Sequence, residues 1–431
     1  MQSRAKLDPA PRSYPPAVTL VRRAQRHGES IPNLTTAAAI EEWLLSSAIR
    51  ENDLLGLFHM FVVRLVTAGL PLERVSLHVG TLHPQLIGFG WVWEQSDGLC
   101  DEFQVAEAAL RSHAYRLNPL YRVIEYGEKV RCRTADPAAI ERFPLVRELA
   151  SQGITDYLVE PIGGGAYHNA ASIATKEPSG FTDAQVVALQ RLLALFAIHV
   201  ERHIALRISV NVLDTYLGAA AGRKVLDGSI QRGAGEAIDA VIWVSDLRNF
   251  TDLTDRIGGS DMIALLNFYF GVLAGAVMDH GGEVLKFIGD GLLAVFPLDS
   301  VDNGAAAANA ALAAAKQGLA GIAQLNRQPP AAIAHIAGWH PLRTGIALHE
   351  GEVFFGNVGA PARLDFTVIG RAVNAASRVE GLCKSLGRST LITEPVARRL
   401  GKTMEHLGEH RLRGLATALA IYSADSEMET I

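Results

Sequence analysis

The chain has little cysteine: Cys100, Cys132 and Cys383 are its three, widely spaced and odd in number. Neither a disulfide framework nor a CxxC metal site can be built from them, and a reducing compartment, the cytoplasm, is the expectation. An excess of basic residues is missing too. Lys and Arg number 40 against 45 Asp and Glu, a formal net charge of -5, which provides no positive field for gripping a phosphate backbone and excludes nucleic acid as an expected partner. Long apolar runs are scarce. "LLGLFHMFVVRLVTAGL" is broken by His59 and Arg64, and "ALLNFYFGVLAGAVM" falls short of the roughly 18 residues a spanning helix needs, so no membrane span is expected. The N-terminal "MQSRAKLDPAPRSYPP" lacks the apolar stretch of a secretory signal, and residues 1–35 are read as a disordered leader.

What the chain does have is 431 residues, 49% of them hydrophobic, enough for two domains with real cores. Over 36–203 the pattern is α+β. Helical spacing through Ile40, Trp43, Leu44, Leu54, Leu57, Phe58 and Phe61 is followed by strand-like "RVSLHVGTL" and "LIGFGWVWEQ", then by "DYLVEPIGGG", "HNAASIATKE" and a long helix from Thr182 or Asp183. Helices at both ends, strands between them and the order "PIGGG" then "GFTD" resemble a GAF-type sensor domain. Cys100, Cys132, His168 and His199 lie in no haem or bilin attachment motif and are read as ordinary core or surface residues. Residues 204–235 are expected to form a helical linker, either a plain spacer or a pairing helix, before a second domain over 236–424 and a tail over 425–431.

The second domain opens with "AVIWVS", a continuous apolar run suited to a buried central strand, with Asp246 at its end. The turn "LRNFT" brings Asn249, Phe250 and Thr251 to a helix N-terminus, whose free N–H groups suit a polyphosphate. A helix capped by Ser260 comes next, and then "EVLKFIGDGLLAVF" places Asp290 between Gly289 and Gly291 at the tip of a tight hairpin. Alone, Asp246 is explained as a cap or solvated turn, and Gly-Asp-Gly as a turn. Side by side, the two carboxylates suit a hard cation such as Mg²⁺, which leaves part of its shell to substrate phosphates. Further on, Asn374 and Arg378 lie one helical turn apart and share a face.

The stretches "VIWVSDLRNFTDLTD", "GGEVLKFIGDGLLAVF", "RTGIALHEGEVFFGNVG" and "DFTVIGRAVNAASRVEGL" closely resemble the catalytic domain of the class III nucleotidyl cyclases. The resemblance implies a ferredoxin-like α+β core with an antiparallel-type sheet. It also implies roles: Asp246 and Asp290, with the Leu247 carbonyl, as ligands of two Mg²⁺ or Mn²⁺ ions; Lys286 and Thr367 at the purine edge; Asn374 at the ribose; Arg378 at the transition-state phosphate; and Arg413 as a looser phosphate contact. In the family the metal ligands come from one protomer and the nucleotide-gripping set from the other, so a homodimer is implied. The reading that follows is a cytoplasmic adenylate cyclase making cyclic AMP and pyrophosphate from ATP, controlled by a small molecule or protein at the N-terminal domain. The alternatives are a cyclase for GTP or a pyrimidine triphosphate, against which Lys286 argues, and a catalytically silent ligand-binding scaffold, whose mark would be a lost Asp or Arg378.

Overall fold

The structure, a computed structural model, describes residues 7–25, 35–83, 85–163, 169–298, 304–336, 341–415 and 417–424. His168 lies outside them. The chain divides between Val212 and Leu213 into two compact units. The N-terminal unit contains β1 (Val18–Gln25), α1 (Ala37–Ser46), α2 (Leu54–Thr67), β2 (Arg74–Gly80), β3 (Leu86–Glu94) and β4 (Leu99–Ala106). After these come α3 (His113–Arg116), α4 (Pro119–Tyr126), β5 (Val130–Arg133), α5 (Pro137–Arg142), α6 (Pro144–Ser151), β6 (Asp156–Ile162), β7 (Asn169–Thr175) and α7 (Asp183–Leu217). The strands form one antiparallel sheet in the order β1-β4-β3-β2-β7-β6-β5.

Alternation in β2 sends Val75, Leu77 and Val79 into a core shared with Phe58 and Phe61 of α2 and Leu193 and Phe196 of α7. Toward β5, β6 and β7 a second core packs Cys132, Tyr157, Val159 and Ala170 against Val123 of α4 and Val146 and Leu149 of α6. Cys100, Cys132 and His199 are buried, and the His199 ring bonds the Leu44 carbonyl at 2.7 Å, the packing role the sequence implied.

The expected leader is corrected within its own span: residues 18–25 form edge strand β1, paired with β4. Charge is the cause. Asp101 and Glu102 of β4 are 0% and 1% exposed, and Arg23 and Arg22 donate to them at 2.6 and 2.8 Å. Arg12 adds a bond to Asp97 at 2.6 Å. Buried carboxylates need such partners, and the N-terminal arginines supply them.

The second unit continues through α8 (Ala219–Leu226), β8 (Gly235–Leu247), α9 (Phe250–Arg256), α10 (Gly259–Asp279), β9 (Glu283–Ile288), β10 (Gly291–Pro297), α11 (Gly304–Arg327) and α12 (Ala331–Ala334). It is completed by β11 (Thr344–Ala360), β12 (Arg363–Ile369), α13 (Arg371–Leu386), β13 (Thr390–Thr393), α14 (Glu394–Leu400), β14 (Glu405–His410) and β15 (Leu419–Ser423). The sheet order is β14-β15-β13-β11-β8-β10-β9, with β12 on the outer half of β11; all pairs are antiparallel except β11 with β13. The sub-order β11-β8-β10-β9, connected by helices in the sequence β-α-β-β-α-β, is the ferredoxin-like core that was expected.

The linker is helical only in part, because Gly218, at φ +83°, separates α7 from α8, and the helix ends at Leu226. Helix α10 starts at Gly258 as its cap, not at Ser260. Both α7 and α10 are long and apolar enough to cross a membrane by length and composition, and α10, at 21 residues, exceeds the run quoted above. Its Met262, Leu265, Tyr269, Leu273 and Val277 are buried in the core with Trp243 and Phe296.

Candidate active site

Strand β8 is central. Val241 and Trp243 face one core and Ala240 and Ile242 the other, so the strand is apolar on both sides until Asp246, which closes it half-buried beside Gly345 of β11. On the other flank β10 pairs Leu292 with Ser245, which brings the β9–β10 turn to the same end. Gly289 takes φ +63° in that turn, as only glycine does without strain. A Cβ on Gly291 would stand 3.5 Å from Oδ1 of Asp246, so the hairpin approaches the carboxylate closely.

Asp290 is thereby set within hydrogen-bonding reach of Asp246. Burial and then the Asp246 charge push its pKa up to about 6, against backbone N–H donation from Asp290 itself and Leu247. Two carboxylates held together at this cost, with the Leu247 backbone beside them, suit a hard divalent cation that takes oxygen ligands. Among the described residues there is no cluster of three or more His, Cys, Asp or Glu arranged for a metal. The set therefore fits an ion whose remaining ligands come from phosphate and water.

Behind the pair the backbone is fixed by a buried chain: the Tyr269 hydroxyl bonds Thr344 Oγ1 at 2.8 Å, and Thr344 donates to the Asp246 carbonyl at 3.0 Å. Asn249, at φ +59°, is the non-glycine residue with positive φ among those described; it caps α9, with Phe250 and Thr251 opening that helix. Such backbone strain is typical of functional turns.

The other expected residues lie on β9, β12, α13 and the turn after β14. Lys286 projects from β9 to Asp365 of β12 in a direct ion pair, and Thr367 lies two residues on, on the same face of β12. Asn374 and Arg378 are exposed together on α13, and Arg413 is exposed in the turn after β14. Among the described residues, no hydrogen bond or ion pair joins the aspartate pair to Lys286, Thr367, Asn374 or Arg378.

Sequence reasoning missed Asp365, although its i−2 relation to Thr367 on a strand was the available signal. It also missed Arg248 and Glu380, joined at 2.8 Å next to the aspartates. Burial first, then Asp246 and Asp290 among the nearby charges, push Glu380 up to about 7 against the pull of Arg248.

Residues 235–424 match the family model described as the adenylate and guanylate cyclase catalytic domain. An adenylate cyclase of Anabaena cylindrica is 34% identical over 40% of this chain and 33% of its own length. Adenylate cyclase 1 of Rhizobium meliloti is 30% identical over 41% of this chain and 26% of its own. The crystal structure of the adenylyl cyclase CyaB from P. aeruginosa is 25% identical, covering 46% of this chain and 99% of that one, with a TM-score of 0.39. The chain spans a third or less of the length of those two curated relatives. The motif order, the ferredoxin-like core and the facing aspartates agree with the family match, and residues 235–424 are a class III adenylate and guanylate cyclase catalytic domain.

Proposed function

We propose that the chain is an adenylate cyclase that converts ATP to 3′,5′-cyclic AMP and pyrophosphate in composite sites of a homodimer. The observation that carries the reading is the meeting of Asp246 and Asp290 at one strand end, with Asn249–Thr251 beside them. Among the described residues no direct bond joins this group to Lys286, Thr367, Asn374 or Arg378, which agrees with assembly from two chains, one supplying each group.

In this mechanism Lys286, oriented by Asp365, donates to a ring-nitrogen acceptor of the base, and the Thr367 hydroxyl adds a second hydrogen bond. Guanine presents N–H at the position where adenine presents N1, so the lysine favours ATP. Asn374 holds the ribose so that its 3′ oxygen faces the α-phosphorus of the same nucleotide. Attack forms the cyclic ester bond, the bond to the β-phosphate oxygen breaks, and the hydroxyl proton leaves to solvent. Asp246, Asp290 and the Leu247 carbonyl would hold Mg²⁺ or Mn²⁺, which when bound neutralises phosphate charge and acidifies the hydroxyl. Arg378, permanently charged and planar, meets the charge that develops on the phosphate oxygens, and Arg413 adds a phosphate contact. Since nucleophile and electrophile belong to one molecule, positioning and charge neutralisation are the chain's whole contribution.

The N-terminal unit is read as a GAF-like regulatory domain. Its antiparallel sheet between helical layers supports this, as does a cavity of about 380 Å³ between β6 and α7, lined by Glu160, Ile162, Gln190, Leu193 and Ala197. The cytoplasm is the proposed location.

The test is incubation of purified full-length protein with each nucleoside triphosphate and Mn²⁺, reading cyclic product and pyrophosphate. ATP is expected to give cyclic AMP, and Asp290→Asn to abolish turnover while the dimer persists. Cyclisation of another triphosphate but not ATP overturns the substrate assignment.

A further inference from the structure

Beside the aspartates lies a second charged pair that the mechanism above does not use. Arg248 follows Leu247 directly, and its Nη2 stands 2.8 Å from Oε1 of Glu380 and 3.4 Å from the Glu380 carbonyl oxygen. Glu380 is 7% exposed, on the inward side of α13, two residues beyond Arg378. The guanidinium occupies the space above Gly345, the residue of β11 that pairs with Asp246. A Cβ at Gly345 would lie 1.7 Å from Arg248 Nη2 and 2.6 Å from Glu380 Oε1. Residues from three separate segments therefore fit one another: a strand glycine, the arginine after the metal ligands, and a buried helix acid.

As a stability device the arrangement is weak, because a buried ion pair gains little over apolar residues of similar volume. Its location carries more weight. One end sits on the strand terminus that bears Asp246, the other on the helix that bears Asn374 and Arg378.

We propose that Arg248 and Glu380, seated over Gly345, are positioning residues that lock the carboxylate end of β8 to α13, so that the two half-sites carried by one chain keep a fixed relation. The inference rests on the composite-site reading. There the two half-sites of a chain serve different active centres, and this pair is a direct side-chain connection between them.

The experiment uses full-length chains inactivated on opposite sides, Asp246→Asn and Arg378→Ala. In their mixed dimer the one complete site takes its aspartates from the R378A chain and its arginine from the D246N chain. Arg248→Met is added to one chain or to the other. Either placement is expected to lower kcat of the mixed dimer by about 10- to 100-fold, with KM for ATP changing less than kcat, since transition-state alignment is what is lost. Gly345→Ala, which keeps both charges while its Cβ displaces the guanidinium and the Glu380 carboxylate, is expected to reproduce the fall with the melting temperature close to the parent's.

A loss confined to Arg248→Met in the aspartate-supplying chain overturns the inference, as does unchanged kcat in both placements. If R248M chains do not fold, the G345A chains decide on the same two outcomes. Absence of rescue in verified mixed dimers that carry neither change removes the composite-site reading itself, and the inference with it.

Discussion

In the proposed site Asp290 would bind either a proton or a cation, and the two would compete. Its pKa is raised because burial and the Asp246 charge both disfavour the second negative charge. The protonated form therefore contributes stability that is fully present below the ordinary value of 3.8 and is lost as pH rises through about 6. Glu380, pushed up to about 7, acts in the same direction. The ion-free protein is expected to lose stability from these groups as pH rises through that range. Saturating Mn²⁺ is expected to reverse the trend at Asp290, because the cation favours the ionised pair. Thermal unfolding followed against pH, with and without Mn²⁺, reads this directly; slopes that Mn²⁺ leaves untouched would contradict it.

At the same scale, Asp246 and Asp290 were legible in the sequence because a lone acid after a buried strand and an acid between two glycines both stand out against apolar neighbours. Asp365 was not, since an acid on an exposed strand face looks like ordinary solvation until Lys286 is seen beside it.

Among the elements, α7 shows how local chemistry starts a long helix. Thr182 Oγ1 accepts from the Gln185 N–H at 3.3 Å, and the Gln185 side chain accepts from the Thr182 N–H at 2.9 Å, a reciprocal capping box. Thr182→Ala is expected to destabilise the N-terminal unit by about 1 kcal/mol, measured by denaturant unfolding of the full chain; a change under about 0.3 kcal/mol would show that the rest of the helix sets its own start. Farther along, the Glu283 carboxylate of β9 lies against the first turn of α8, near the N–H groups of Ala220 and Ala221, and burial raises its pKa.

Elements with a strong local signal, the unbroken apolar run of β8 and the helical spacing of α10, were readable from sequence. β1 and β4 were less so. "LCDEFQVA" places two adjacent acids in the middle of a strand, a pattern that resembles a turn, and their burial is explained by partners far along the chain, Arg22, Arg23 and Tyr14 before the strand and Arg207 after it. Pairing across such a distance leaves no local trace. The helical start and stop signals near Gly258 failed for a related reason: the glycine caps through its backbone and offers no side-chain mark.

For the whole molecule, the proposed composite site has one consequence: each chain supplies the aspartates to one active centre and the nucleotide-gripping groups to another. In that reading the aspartates sit at the end of β8 and in the β9–β10 turn, and the residues proposed for base, ribose and phosphate sit on β9, β12 and α13. A closed two-fold dimer turns that division into two equivalent sites, and any ligand of the N-terminal unit that binds one dimer arrangement better than another gains control over both.

The most direct measurement of this division is the activity of an equal mixture of Asp246→Asn and Arg378→Ala chains. Each variant alone is expected to be inactive. Random assembly makes half of the dimers mixed, each with one complete site, so the mixture is expected to recover about a quarter of the wild-type rate. A mixture that stays as inactive as its components, with mixed dimers shown to be present, would contradict the account.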